Sequence, residues 1–67
     1  MFSGKELCQL LKVNGFSIIR QKGSHIIMQK KSGNTTITVP VPDHNEIKVG
    51  TLMAIIRQSG LSKSLFS

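Results

Sequence analysis

The stretch FSIIRQKGSHIIMQKKSGNTTITVP, from Phe16 to Pro40, decides the fold. Phe16 to Gln21 and Ser24 to Lys30 are rich in residues that favour extended chain, and Lys22-Gly23 between them is a turn signal. Ser32-Gly33-Asn34 marks a second turn, and Thr35 to Val39 is rich in β-branched residues up to Pro40. Three short extended runs joined by tight turns predict a three-stranded antiparallel meander. Register follows from parity. If both loops have an even number of residues, one face collects Ile19, Ile26, Met28, Ile37 and Val39. That set is wholly apolar and is expected to face the core. The other face collects Ile18, Arg20, His25, Ile27, Gln29, Thr36 and Thr38, with Arg20 and His25 opposite each other. Ile18, Ile27 and Phe16 fit a solvated face poorly and suggest a covering partner, or an odd-length loop that reverses the assignment.

Working outward, a helix is expected on each side. Ser3 and Glu6 have the spacing of a capping box, and Phe2 and Leu7 that of a hydrophobic staple. Leu7, Leu10 and Leu11 form one apolar stripe, and Asn14-Gly15 supplies the stop, which places this helix at about 3–14. After Val39-Pro40, Val41 to Ile47 reads as a loop, with Pro42, Asp43 and Asn45 as turn formers. A second helix is expected at about 49–59, with Leu52, Ile55 and Ile56 as its stripe and Gly60 as its end. The tail, Leu61 to Ser67, offers Leu61, Leu65 and Phe66 to tuck against the domain. The expected class is α+β, in the order α-β-β-β-α, one domain over 1–67 with both helices on the apolar sheet face.

The chain is small and basic. Its 67 residues leave no room for a nucleotide-binding α/β domain. Nine Lys and Arg against three Asp and Glu give a net charge of +6, which points to an anionic partner: nucleic acid first, an acidic protein second and an anionic membrane third. No apolar run approaches the ~18 residues of a membrane span, and of the three partners the membrane is not carried forward. Cys8 is the single cysteine and is expected to be a small core residue. The absence of disulfides and of a signal-like apolar stretch suggests a reducing cytoplasm.

Few residues are equipped for chemistry. Phosphate-loop, zinc-protease and paired-carboxylate motifs do not occur. Beyond Glu6, Asp43 and Glu46 are the only acidic side chains, and His25 and His44 the only imidazoles, so neither a metal nor another cofactor is expected. What remains is Arg20-Gln21-Lys22-Gly23-Ser24-His25. Histidine exchanges protons near neutral pH, and Arg20 and Lys22 can hold a phosphate. RNA carries its own nucleophile, the 2′-OH, so a base, an acid and a phosphate clamp suffice to cleave it. Lys30 and Lys31 add general affinity for RNA. Gly23 suits a turn that needs positive φ. Taken alone, these residues leave open a non-catalytic RNA-binding module and an adaptor for an acidic protein.

Three stretches resemble the HicA toxin family of bacterial and archaeal toxin–antitoxin systems. They are Ser3-Gly4-Lys5-Glu6 with Leu10-Leu11 and Asn14-Gly15-Phe16; Arg20 to His25; and Val39-Pro40 with Ile47-Lys48, Gly50-Thr51-Leu52 and Ile55 to Leu61. The resemblance implies a fold like the double-stranded-RNA-binding domain. It also implies an endoribonuclease (an mRNA interferase) that arrests translation until a HicB-type antitoxin binds it. It places His25 at the catalytic position, with Gly23 and Ser24 as its motif neighbours. Arg20, Lys22, Ser24, Lys30 and Lys31 are the expected phosphate contacts, and His44 is a candidate second contributor.

Overall fold

A computed structural model describes residues 1–66; Ser67, the end of the tail segment, lies outside the described residues. Helix α1 spans Gly4–Val13, strands β1, β2 and β3 span Ser17–Lys22, His25–Ser32 and Thr35–Pro42, and helix α2 spans Val49–Ser59. A 3₁₀ turn at Lys63–Phe66 follows. The strands form one antiparallel sheet in the order β1-β2-β3, as the meander predicts.

The start of α1 is fixed by the capping box. The Glu6 N–H donates to Ser3 Oγ at 3.1 Å, and the Ser3 N–H donates to Glu6 Oε1 at 2.8 Å. Helix α2 has no side-chain cap at its start and ends at Gly60, whose φ of 72° is left-handed. Both helices bury their stripes on the sheet face that carries Ile26, Met28, Val39 and Val41, joined by Leu7, Leu11, Phe16, Ile47, Ile55 and Ile56. Cys8 is buried, as expected. Phe66 from the tail is also buried and meets Phe2 edge to face at 6.4 Å, whereas Leu65 stays exposed.

Both hairpin loops have two residues, Gly23-Ser24 and Gly33-Asn34. In each, glycine takes the first position with φ near +60° and the second residue does not, the pattern of a type II′ turn. The even-loop condition is therefore met, but three details differ from the expected register. Lys22 belongs to β1 rather than to the turn, and it, not Arg20, stands opposite His25; Arg20 pairs with Ile27. A bulge follows. Ile18 pairs with Met28 and Arg20 with Ile27, leaving Ile19 as the extra residue. The bulge shifts the parity of β1, so Ile18 joins the helix side and Ile19 leaves the core, each about half exposed. Finally, β3 continues past Pro40 to Pro42, and Val41, expected in a loop, is fully buried opposite Ile26. Pro40 and Pro42 are opposite in parity to Asp43, whose N–H bonds the Ser24 carbonyl, so the donors to β2 fall on the odd positions and the missing proline N–H groups cost β3 no bond to β2.

Candidate active site

His25 is the first residue of β2 and is exposed. The Gly23-Ser24 turn brings it directly across from Lys22. Cross-strand neighbours of this kind have Cβ atoms about 5 Å apart, and Arg20, one diagonal step along β1, lies within about 7–8 Å. Three residues of the RQKGSH motif thus share the outer face, away from both helices. Ile27, half-buried, sits between Arg20 and Pro40 on the same face.

His25 stands opposite Pro42 on its other side. One step further, the Asp43 N–H donates to the Ser24 carbonyl oxygen at 2.7 Å. This bond ties the turn before His25 to the loop that carries His44. The same loop is held against the start of α1, because the Gly4 N–H donates to the His44 carbonyl at 2.8 Å and the Ile47 N–H to the Phe2 carbonyl at 2.7 Å. Gly4 is needed there: a Cβ would collide with the Pro42 carbonyl oxygen. His44 is exposed and borders a hollow of about 230 Å³ lined also by Pro42, Glu46, Ile47, Lys48 and Thr51.

The structure brings together His25, Lys22, Arg20, Ser24 and the backbone of His44 at one end of the sheet. It does not bring Lys30 and Lys31 there. They lie six residues or so along β2, and strand alternation puts them on opposite faces. Lys31 shares the outer face with His25. Lys30 turns toward the helix side, its Nζ 5.8 Å from the Phe16 ring centroid, a cation–π contact.

Chemically, the His25 end offers one exposed imidazole and two cations for an anionic group, and the adjoining loop carries a second exposed imidazole, that of His44. Among the described residues, no three His, Cys, Asp or Glu side chains gather as a metal-binding set. No helix of the described residues is long and apolar enough to cross a membrane. The loop placement of His44 is what sequence spacing could not supply, because it depends on the Asp43–Ser24 bond.

A family model described as the HicA toxin of bacterial toxin–antitoxin systems matches residues 4–61. The match begins at the first residue of α1 and ends just after Gly60 caps α2. Comparison with curated proteins gives no match, and neither does comparison with solved structures.

Proposed function

The chain belongs to the HicA toxin family, and from that premise we propose that it is an endoribonuclease that cleaves mRNA at His25 and is silenced by a HicB-type antitoxin. The observation that carries the proposal is the shared outer face of His25, Lys22 and Arg20, formed by a two-residue glycine turn.

The reaction uses the RNA's own nucleophile. The 2′-oxygen attacks the adjacent phosphorus as a base removes its proton. The bond from phosphorus to the 5′-oxygen breaks, and an acid returns a proton to that leaving oxygen. The products are a 2′,3′-cyclic phosphate and a free 5′-OH. His25 exchanges one of these protons, and His44, in the loop that the Ser24–Asp43 bond ties to the turn before His25, is the candidate for the other. Lys22 and Arg20 face the non-bridging oxygens, where negative charge builds as the bond order changes. No cofactor enters these steps.

The antitoxin is expected to be acidic on the surface that meets this end, covering His25 and burying Ile27. Antitoxin and RNA then compete for one face. The family and the small basic fold fit an intracellular target, mRNA in the cytoplasm.

The test is cleavage of unstructured RNA in excess EDTA by the wild type and by His25→Ala. The expected result is cyclic-phosphate-ended product from the wild type and its loss in the variant. Undiminished cleavage by a folded His25→Ala protein removes His25 from the reaction. RNA binding without cleavage by the wild type supports a non-catalytic binding module instead.

A further inference from the structure

The outer face carries a second concavity far from His25. Strand β1 begins at Ser17, opposite Gln29, whereas β2 and β3 run on together to the Ser32–Thr35 pair. The sheet therefore has a shoulder where β1 stops, closed at its side by Gly15 as the chain leaves α1. The resulting depression measures about 280 Å³ and is lined by Ser17, Ile19, Gln29, Lys30, Lys31 and Thr36. Ile19 reaches it as the extra residue of the bulge. The Gln29 amide donates to Thr38 Oγ1 at 3.2 Å, and Lys30 is steadied over the Phe16 ring, so two of the lining side chains are held.

The charge distribution favours an anion at the shoulder. No acidic side chain lines it. Glu6 is held in the α1 cap, and the Gly4–His44 bond sets that cap beside the loop carrying Asp43 and Glu46. All three carboxylates thus belong to the His25 end, while Lys30 and Lys31 line the shoulder and Lys12 closes α1 nearby. From His25 to Lys31, both on the outer face of β2, six residues span about 20 Å. A ligand that reaches both sites is a chain of repeating anionic units.

We propose that the shoulder is a second subsite for single-stranded RNA, holding a nucleotide several positions from the phosphate at His25. The choice of RNA rests on the ribonuclease reading; the preference for an anion does not. Lys31 meets the phosphate from the outer face, and Lys30, which borders the depression from the helix side, adds positive charge at its edge. The Ser17 and Thr36 hydroxyls supply hydrogen bonds for a ribose hydroxyl or a base edge, and Ile19 gives the base an apolar surface. A single strand suits the chemistry, because in-line attack by a 2′-OH requires a backbone freed from A-form geometry.

The test is binding of a fluorescent unstructured RNA oligonucleotide to His25→Ala protein, followed by anisotropy, with folding checked by circular dichroism. Thr36→Glu places a carboxylate in the depression; Gln58→Glu makes the same change in net charge on exposed α2. The expected weakening is about tenfold for the first and less than about twofold for the second. Lys31→Gln removes a charge without adding one and is expected to weaken binding as well. Equal weakening by Thr36→Glu and Gln58→Glu, or tighter binding of a duplex of the same sequence, overturns the subsite. Wild-type protein that binds through the shoulder yet cleaves nothing leaves the subsite standing and removes the ribonuclease reading. Cleavage by the wild type, with unaltered binding by both shoulder variants, does the reverse.

Discussion

The backbone N–H of Asp43 donates to the carbonyl oxygen of Ser24 at 2.7 Å, and each of these residues is followed by a histidine. One backbone bond therefore ties together the two segments that carry the chain's histidines. If they act as base and acid, losing either is costly. His25→Ala is expected to lower the RNA cleavage rate about 10²–10⁴-fold and His44→Ala at least about tenfold. Initial rates on one oligonucleotide, with unchanged circular dichroism, check both; wild-type rates in His44→Ala would leave His25 alone.

Gly4 tests the same geometry from behind. An alanine there collides with the Pro42 carbonyl and pushes the β3–α2 loop away from α1. Gly4→Ala is expected to cost about 1–3 kcal/mol and to lower cleavage through displacement of His44. Gly50→Ala meets nothing within 4 Å and lies in α2, so it is expected to leave stability unchanged or raise it by up to about 1 kcal/mol. Urea denaturation of the two variants side by side makes the comparison.

Met28 lies at the centre of the buried sheet face, fully excluded from solvent. Met28→Ala is expected to cost about 2–5 kcal/mol. A chain of this size has a total stability of roughly 3–10 kcal/mol, so the variant should lose a large share of it and melt well below the wild type. A thermal melt within a few degrees of the wild type would show that the core collapses around the gap.

The α1 cap has a defined pH signature. The Ser3 backbone N–H, and after it the Ser3 side chain, hold the Glu6 carboxyl below its ordinary pKa, against a small opposing effect of desolvation. A carboxyl with a lowered pKa stabilises the fold above its ordinary pKa, and this is lost as pH falls through the folded value. Glu6→Gln should therefore melt below the wild type at neutral pH, and the gap should close in acid. Melting temperatures across the acid range would sink this if the gap were constant.

Burial, and secondarily the charge of Asp43, raises the Cys8 thiol pKa, with Lys12 acting weakly in the other direction. A raised thiol pKa leaves stability intact below the ordinary thiol value and erodes it as pH climbs toward the folded value. Cys8 is therefore expected to react with a thiol reagent at neutral pH far more slowly than the unfolded chain does. Stability should also fall in alkali, and less so in Cys8→Ala. Rapid labelling under native conditions would contradict the burial.

Much of this fold is legible in 67 residues because its punctuation is local. The Ser3–Glu6 box, the positive-φ glycines at 23 and 33 and the Gly60 stop each act within a few residues, so spacing reveals them. What stayed hidden depends on contacts between strands. The bulge at Ile19 has no glycine or proline to mark it, and it alone moves Ile18 and Ile19 to unexpected faces. Val41 reads as loop beside Pro40 and Pro42, yet the prolines fall at positions whose N–H groups the β2 ladder does not use, and Val41 pairs with Ile26. At the candidate site, the shared face of Arg20 and His25 follows from parity, whereas Lys22 as the true neighbour of His25 needed the exact turn boundary. The separation of Lys30 from Lys31 follows from strand alternation alone and was there to be read.

The bulge and the two prolines also bear on how the chain behaves in a crowd. A free sheet edge is a template on which another chain can add a strand, and half-exposed Ile18 and Ile19 would make such an edge adhesive. On β1 the extra residue breaks the regular spacing of donors and acceptors. On β3, Pro40 and Pro42 remove outward donors at alternate positions. Both margins are therefore poor templates for an added strand.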